Sequence, residues 1–176
     1  MPIRLVPASL AAALLLLGSV VHAAVPAEVP VGGVLRDVPM HGLNGPDRHI
    51  DAYRGRPLLI NVWASWCGPC REEMASLERL AWLAHPVPFA IIGISTDDEA
   101  SAAAAFLKRT NTTLNHYLDR ELQLESLLGA SRLPLTIFVA ADGHVLRRVY
   151  GARQWDSPAA LQLVHSTFGP AHQGEK

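Results

Sequence analysis

Residues 58–70 read LLINVWASWCGPC and end in Trp66-Cys67-Gly68-Pro69-Cys70. Leu58–Trp63 is a continuous apolar run of strand length, the pattern of a strand buried on both faces. A helix is expected next, from Cys67 to Ala84, stopped by Pro86. Two thiols at i and i+3 therefore straddle a helix start. The first faces backbone N–H groups that lack a partner within the helix and the positive end of the helix dipole, which favours thiolate over thiol. A lowered pKa makes it both a nucleophile and a good leaving group. The second lies one turn further in, close enough to close a ring with the first. Pro69 is tolerated because a first-turn residue does not need its N–H. Cys67 is thus expected to attack, and Cys70 to be the buried resolving partner in a redox-active disulfide.

The same pair has three less reactive uses. Half of a zinc site needs two further ligands, but there is no other Cys and the eight His are scattered. An inert structural disulfide closing so short a loop stabilises little by chain entropy. A peroxide-reducing Cys has a Thr or Ser three residues before it and a Pro four before that. This chain has Ala64 and Ile60 at those positions.

Outward from this stretch, the punctuation is regular. Asn44-Gly45 signals a hairpin between Val34–Met40 and Arg48–Ile50, and Asp51–Arg54 reads as one helical turn closed by Gly55. Phe89–Ile94 is a second buried strand. Thr96-Asp97-Asp98-Glu99 reads as a capping box for a helix ending at Lys108-Arg109. Asp119 caps a helix over Glu121–Leu128, ended by Gly129. Leu135–Ala140 is a third buried strand, turned by Asp142-Gly143 into His144–Tyr150. Ser157-Pro158 opens a last helix that ends at Gly169. Buried strands alternating with helices give an α/β sheet with helices on both sides.

The chain has 176 residues, enough for one ordinary domain and too few for two. At 49% hydrophobic and 18% charged residues, with 13 Gly and 13 Pro, collagen, coiled coil and disordered tail are excluded. Fifteen Lys and Arg face sixteen Asp and Glu, so no basic footprint for nucleic acid exists. Residues 1–23 read as a cleaved secretory signal: Arg4, an apolar stretch from Leu10 to Val21, then Val21-His22-Ala23. An uncleaved anchor is the alternative. No Cys follows for a lipid. Cleavage would remove one base and no acid, moving the net charge from −1 to −2. Residues 24–33 read as a linker, 34–170 as the domain and 171–176 as a flexible tail.

A helical wheel at about 100° per residue singles out one acid. Met74, Leu77, Leu80, Ala81 and Ala84 share an arc of about 120° with Cys70, and Glu73 is the only charge inside it. An acid on the core face should be partly desolvated, which raises its pKa. Placed one turn from the buried thiol, it is a candidate to take the Cys70 proton as that thiol attacks. The bland reading is that Glu73 lies at the arc's edge and reaches solvent. Pro134, just before a buried strand, marks a special turn. Trp66 is expected to shield the disulfide edge, Trp63 to lie in the core, and Trp155 to pack the last helix on the sheet.

A strand, Trp-Cys-Gly-Pro-Cys, a helix, and a Pro before a late strand resemble thioredoxin. Gly55-Arg56-Pro57 through Arg71 is similar to the exported TlpA/ResA-like branch, over roughly residues 34–168. The resemblance implies a three-layer thioredoxin-like α/β fold, with a central mixed sheet flanked by helices and an N-terminal β-hairpin extension. It implies that Pro134 is cis and lies against the cysteines, with Gly68, Pro69 and Leu133 as further support. It also places a functional acid at the offset of Glu73. Asn61 stands where cytosolic thioredoxins have a buried Asp, as is common in the exported branch. Leu133 replaces the usual β-branched residue, and Ala75 stands where a Pro is frequent. The implied function is an exported, periplasmic thiol–disulfide oxidoreductase without a cofactor. Gly-Pro between the cysteines resembles the reducing members. Its partners would be disulfide-containing proteins and a membrane thiol carrier that re-reduces it, with no nucleic acid. Apocytochrome c, a copper-site assembly protein and general disulfides all remain open as substrates. The rival from another class is a non-catalytic metal or haem-chaperone accessory using both cysteines as ligands.

Overall fold

The computed structural model describes residues 27–83 and 88–169. The expected signal at 1–23, the tail at 171–176 and the helix stop at 84–86 lie outside the described residues. In chain order the elements are β1 (Pro39–Gly42), β2 (Arg48–His49), a 3₁₀ turn (Ile50–Tyr53), β3 (Leu58–Trp63), α1 (Gly68–Trp82), β4 (Ala90–Ser95), α2 (Ala100–Thr110), β5 (Asn115–Leu118), α3 (Gln123–Leu128), β6 (Leu135–Val139), β7 (Val145–Tyr150) and α4 (Pro158–Thr167). The strands form one mixed sheet in the order β2-β1-β5-β4-β3-β6-β7. β3, β4 and β5 run parallel, while β6 joins β3 and β1 joins β5 antiparallel.

Alternation along β3 sorts the core into its two faces. Leu58, Ile60 and Val62 pack with Ile50, Tyr53 and the leucines of α3. Leu59 packs with α1 and α4, and Trp63 with α1 and α2. Crossovers β3-α1-β4 and β4-α2-β5 step the same way across the sheet, so one handedness puts both helices on one face. The chain then turns back to β6, and α3 covers the other face. This is the three-layer mixed sheet expected from the sequence.

Several local expectations change. β5 has no apolar run to announce it. Its NHYL alternates a buried His116 against β4 with a buried Tyr117 on the opposite face, whose hydroxyl lies 2.6 Å from that of Tyr53. The first hairpin forms, with Pro39 opposite His49, but its loop spans 43–47. Asn44 is drawn out of the turn: its Nδ2 donates to Leu114 O and its Oδ1 accepts from His116 N, both at 2.8 Å. Asp47 closes the loop by accepting from Gly42 N. The hairpin is therefore the edge of the main sheet. The capping box at Thr96 does not form. α2 starts at Ala100 behind an unassisted Glu99, because Thr96 N is bonded to Trp63 O and Asp97 to other partners. α3 starts at Gln123 and not Glu121, and its N-cap residue is Leu122, but the Asp119 carboxylate still reaches its first turn, accepting from Leu124 N and Glu125 N at 3.0 and 2.6 Å. Ala81, placed on the core arc of α1, is exposed, and Ser76 is buried instead.

Residues 27–33, read as part of a linker, are docked. Val29 is buried and its N–H donates to Leu127 O. Gly32 N donates to Val145 O, and Val145 N to Gly33 O. Arg148 bonds Val29 O and lies 3.3 Å from Glu28. Pro and Gly read as punctuation here, yet Val29 supplies an apolar anchor and the backbone an extra pairing for β7.

Gly93 has a close-approach role. A Cβ there would stand 2.0 Å from His116 Nδ1 and 2.9 Å from Trp63 Nε1, both on buried rings. Gly93→Ala is expected to destabilise by about 1–3 kcal/mol through overpacking. The urea midpoint should fall with an unchanged slope. An unchanged midpoint would mean that the rings are free to move.

Candidate active site

β3 and β4 deliver the site, because both end where α1 begins. The loop 64–66 that leads into α1 is fixed by Asp97, whose carboxylate accepts from Ser65 N (2.9 Å), Ser65 Oγ (2.6 Å) and Ser95 Oγ (2.7 Å). Thr96 N donates to Trp63 O and extends the β3–β4 pairing by one bond. Asp97 was legible in the sequence only as a first-turn acid of an expected capping box. Its role depends on β4 lying beside β3.

Cys67 and Cys70 are joined as a disulfide, with Cα atoms 5.3 Å apart. Cys67 is the N-cap of α1, and its Sγ accepts from Cys70 N at 3.2 Å. When the bond is reduced, the same N–H and the helix dipole favour negative charge on Cys67. Cys67 keeps 6% of its surface, whereas Cys70 has none. Cys67 lines a cleft of about 660 Å³ with Trp66, Gly68, Pro69 and Leu133. Trp66 is 70% exposed, so it flanks the disulfide as an open wall. The Leu133–Pro134 peptide is cis, Pro134 is buried, and Leu133 packs against the cluster that holds both cysteines.

Glu73 is buried on α1 at 2% exposure, one turn beyond Cys70. Three N–H donors hold its carboxylate: Asn61 Nδ2 at 2.7 Å, Arg153 N at 3.0 Å and Trp155 Nε1 at 3.1 Å. Burial raises its pKa above the ordinary glutamate range, and the three donors, which favour the charged form, only partly offset this. Asn61 also donates to Thr136 Oγ1 at 3.1 Å. Ser76 accepts from Trp155 N at 3.0 Å and so ties the loop after β7 to α1. Trp155 packs against Phe138 and the last helix, as expected, but it is also a ligand of the carboxylate. Nothing in the local sequence announces that second role, since Glu73 and Trp155 lie 82 residues apart. Trp63 is in the core, tilted on Phe106 with ring centroids 5.3 Å apart. His116 is buried beside it, and burial pulls its pKa down to about 4, so it is neutral near pH 7.

Among the described residues, no three His, Cys, Asp or Glu side chains gather as metal ligands, and no helix is long and apolar enough to cross a membrane.

Residues 31–163 match the Redoxin family model. The chain is 33% identical over 132 residues to the thiol:disulfide interchange protein DsbE of Pseudomonas fluorescens biotype C, covering 71% of this chain and 70% of that one. It is 28% identical over 123 residues to the thiol-disulfide oxidoreductase ResA of Geobacillus thermodenitrificans, covering 70% and 71%. In fold it matches a protein of Chlorobium tepidum assigned as thiol:disulfide interchange protein DsbE, with TM-score 0.73, 22% identity, and coverage of 81% of this chain and 100% of that one. A cysteine pair at a helix start on this sheet, the family match and the relatives named thiol–disulfide oxidoreductases lead to one conclusion: the chain belongs to the Redoxin family, in its TlpA/ResA-like thioredoxin branch, and is a thiol–disulfide oxidoreductase.

Proposed function

We propose that this oxidoreductase works outside the cytoplasm, in a periplasm, as a reductant of protein disulfides. The observation that carries the reading is the asymmetry of the Cys67–Cys70 pair, one sulfur open to the cleft at a helix N-terminus and the other sealed behind it. Cys67 thiolate attacks one sulfur of a substrate disulfide, forming a mixed disulfide and expelling the other substrate sulfur as thiolate. Cys70 then loses its proton and attacks Cys67 Sγ. The second substrate thiol leaves, and the pair ends as the disulfide, two electrons poorer. Glu73 takes the Cys70 proton, directly or through a bound water. Trp66, Gly68, Pro69, Leu133 and Pro134 shape the surface on which the substrate lies. A membrane thiol carrier supplies the two electrons that restore the dithiol. Cytochrome c maturation and copper-site assembly are the settings that fit such a reductant, and residues 1–23 export it.

Reduction of insulin with a small thiol as electron donor tests this reading. The purified chain should accelerate precipitation of the insulin B chain and carry no stoichiometric metal. Lack of acceleration together with a metal bound one-to-one through the two cysteines would replace it with a metal-carrying role.

A further inference from the structure

The cleft that exposes Cys67 is partly walled by a leucine in a costly backbone conformation. Leu122 has φ 54° and ψ 27°, the left-handed region that a side chain with a Cβ resists and glycine adopts freely. Its neighbours impose it. Leu122 N donates to Asp119 O at 3.0 Å, its carbonyl accepts from Ser126 N at 3.1 Å, and the Asp119 carboxylate fixes the next turn through Leu124 N and Glu125 N. Strain held by its surroundings at the edge of a reactive centre points to use of the side chain. Leu124, Leu127 and Leu128 of α3 go into the core, whereas Leu122 remains 40% exposed in the same cleft as Trp66 and Cys67. Few large apolar side chains are exposed among the described residues, and two of them meet in this cleft. The charged part of the rim is acidic on balance. Asp98, Glu125 and Arg132 line it, two acids against one base, and the guanidinium of Arg132 stacks over the Tyr150 ring, 4.8 Å from its centroid.

We propose that Leu122, together with Trp66, selects the substrate: an extended, disulfide-bearing polypeptide segment with a large apolar side chain next to the attacked cysteine and no acid beside it. The apolar neighbour is desolvated between leucine and tryptophan while the substrate sulfur reaches Cys67. An acidic neighbour would meet two carboxylates against one guanidinium that is already stacked on Tyr150. The proposal rests on Cys67 as the attacking sulfur.

The test uses Leu122→Gly and Leu122→Asn, since both residues tolerate the left-handed region. Urea unfolding should show both variants folded, with midpoints equal to or above that of the parent. Reduction of hydroxyethyl disulfide, which is too small to span the cleft, should be unchanged. The decisive substrates are symmetric disulfides of short peptides that carry Leu, Ser or Asp next to the cysteine. The parent should prefer the Leu peptide over the Ser peptide by about tenfold in kcat/KM, in line with burial of one apolar side chain, and should disfavour the Asp peptide most. In Leu122→Asn the Leu-over-Ser preference should shrink to about twofold or less, mostly through KM. A parent that reduces hydroxyethyl disulfide without discriminating among the peptides overturns the proposal alone. So does a Leu122→Asn variant that keeps the full preference. A parent that reduces neither small nor peptide disulfides overturns the attacking role of Cys67, and the proposal with it.

Discussion

With Cys70 replaced by serine, the chain is expected to complete one half-reaction and stop. Cys70 is fully buried, so a slightly smaller serine fits without new contacts. The N–H that Cys70 donates to Cys67 Sγ belongs to the backbone and survives the change. Cys67 therefore keeps its helix-end stabilisation and still attacks a disulfide. The serine hydroxyl cannot then displace the substrate, so the mixed disulfide accumulates to one equivalent. Multiple-turnover reduction of insulin should fall on the order of a thousandfold or more, as when a nucleophile is deleted from a group that acts as a unit. Mass spectrometry of the trapped adduct both checks the roles and identifies the captured protein in an extract. Alkylation of the reduced parent near neutral pH should modify Cys67 first. Equal rates at Cys67 and Cys70, or a Cys70→Ser variant that turns over, would invert or dissolve the assignment.

Glu73→Gln is the second large expected effect, because it removes the one titrating group on the buried face of α1 beside Cys70. The glutamine can keep its oxygen toward Arg153 N and Trp155 Nε1. Its amide then meets Asn61 Nδ2, donor against donor, until Asn61 turns its own amide over. That turn keeps two bonds, because the turned Oδ1 can accept from the glutamine amide and from the Thr136 hydroxyl, but it moves Nδ2 to the buried position where Oδ1 has no partner, a pH-independent cost of about 1–3 kcal/mol. The fold should still survive. The resolving step should slow by about tenfold or more, the lower part of the range for a lost general base. In the parent, mixed-disulfide lifetime should shorten as pH rises through the raised carboxyl pKa; in the variant that inflection should vanish, leaving the titration of Cys70. Stability gives an independent reading. A carboxyl whose pKa is raised by folding contributes fully below its unfolded pKa, and that contribution is lost as pH rises through the folded one. Whatever offset the exchanged amide introduces, the variant should gain on the parent progressively as pH rises above the ordinary glutamate range. Tm measured across pH checks the sign. An unchanged lifetime profile would leave Glu73 with a structural part only.

These two experiments differ in how much of their basis could be read from sequence. The roles of Cys67 and Cys70 follow from two thiols one turn apart at a helix start, a relation contained in four consecutive residues. Glu73 as a core-face acid follows from the same helix by periodicity. The buried strands at Leu58–Trp63, Phe89–Ile94 and Leu135–Ala140 stood out because fully buried strands are continuous apolar runs. The sequence by itself thus determined what is local: elements, their polarity, and the chemistry of side chains spaced by one helical repeat.

Only the tertiary structure decided what depends on register between distant segments. It set Asn61, Arg153 N and Trp155 around Glu73, brought from β3 and from the loop after β7. It recruited Asp97 to the active-site loop instead of the first turn of a helix, and made Asn44 a partner of β5 instead of a turn residue. It showed β5 itself, whose NHYL is strand-forming only because Gly93 leaves room for His116 on one face and Tyr53 receives Tyr117 on the other. It docked residues 27–33, and it held Leu122 left-handed in the cleft. The physical reason is common to all of these. A hydrogen-bonding side chain has several acceptable partners at similar free energy, and its choice is fixed by which backbone the packed sheet brings within about 3 Å, information that no single stretch of this sequence carries.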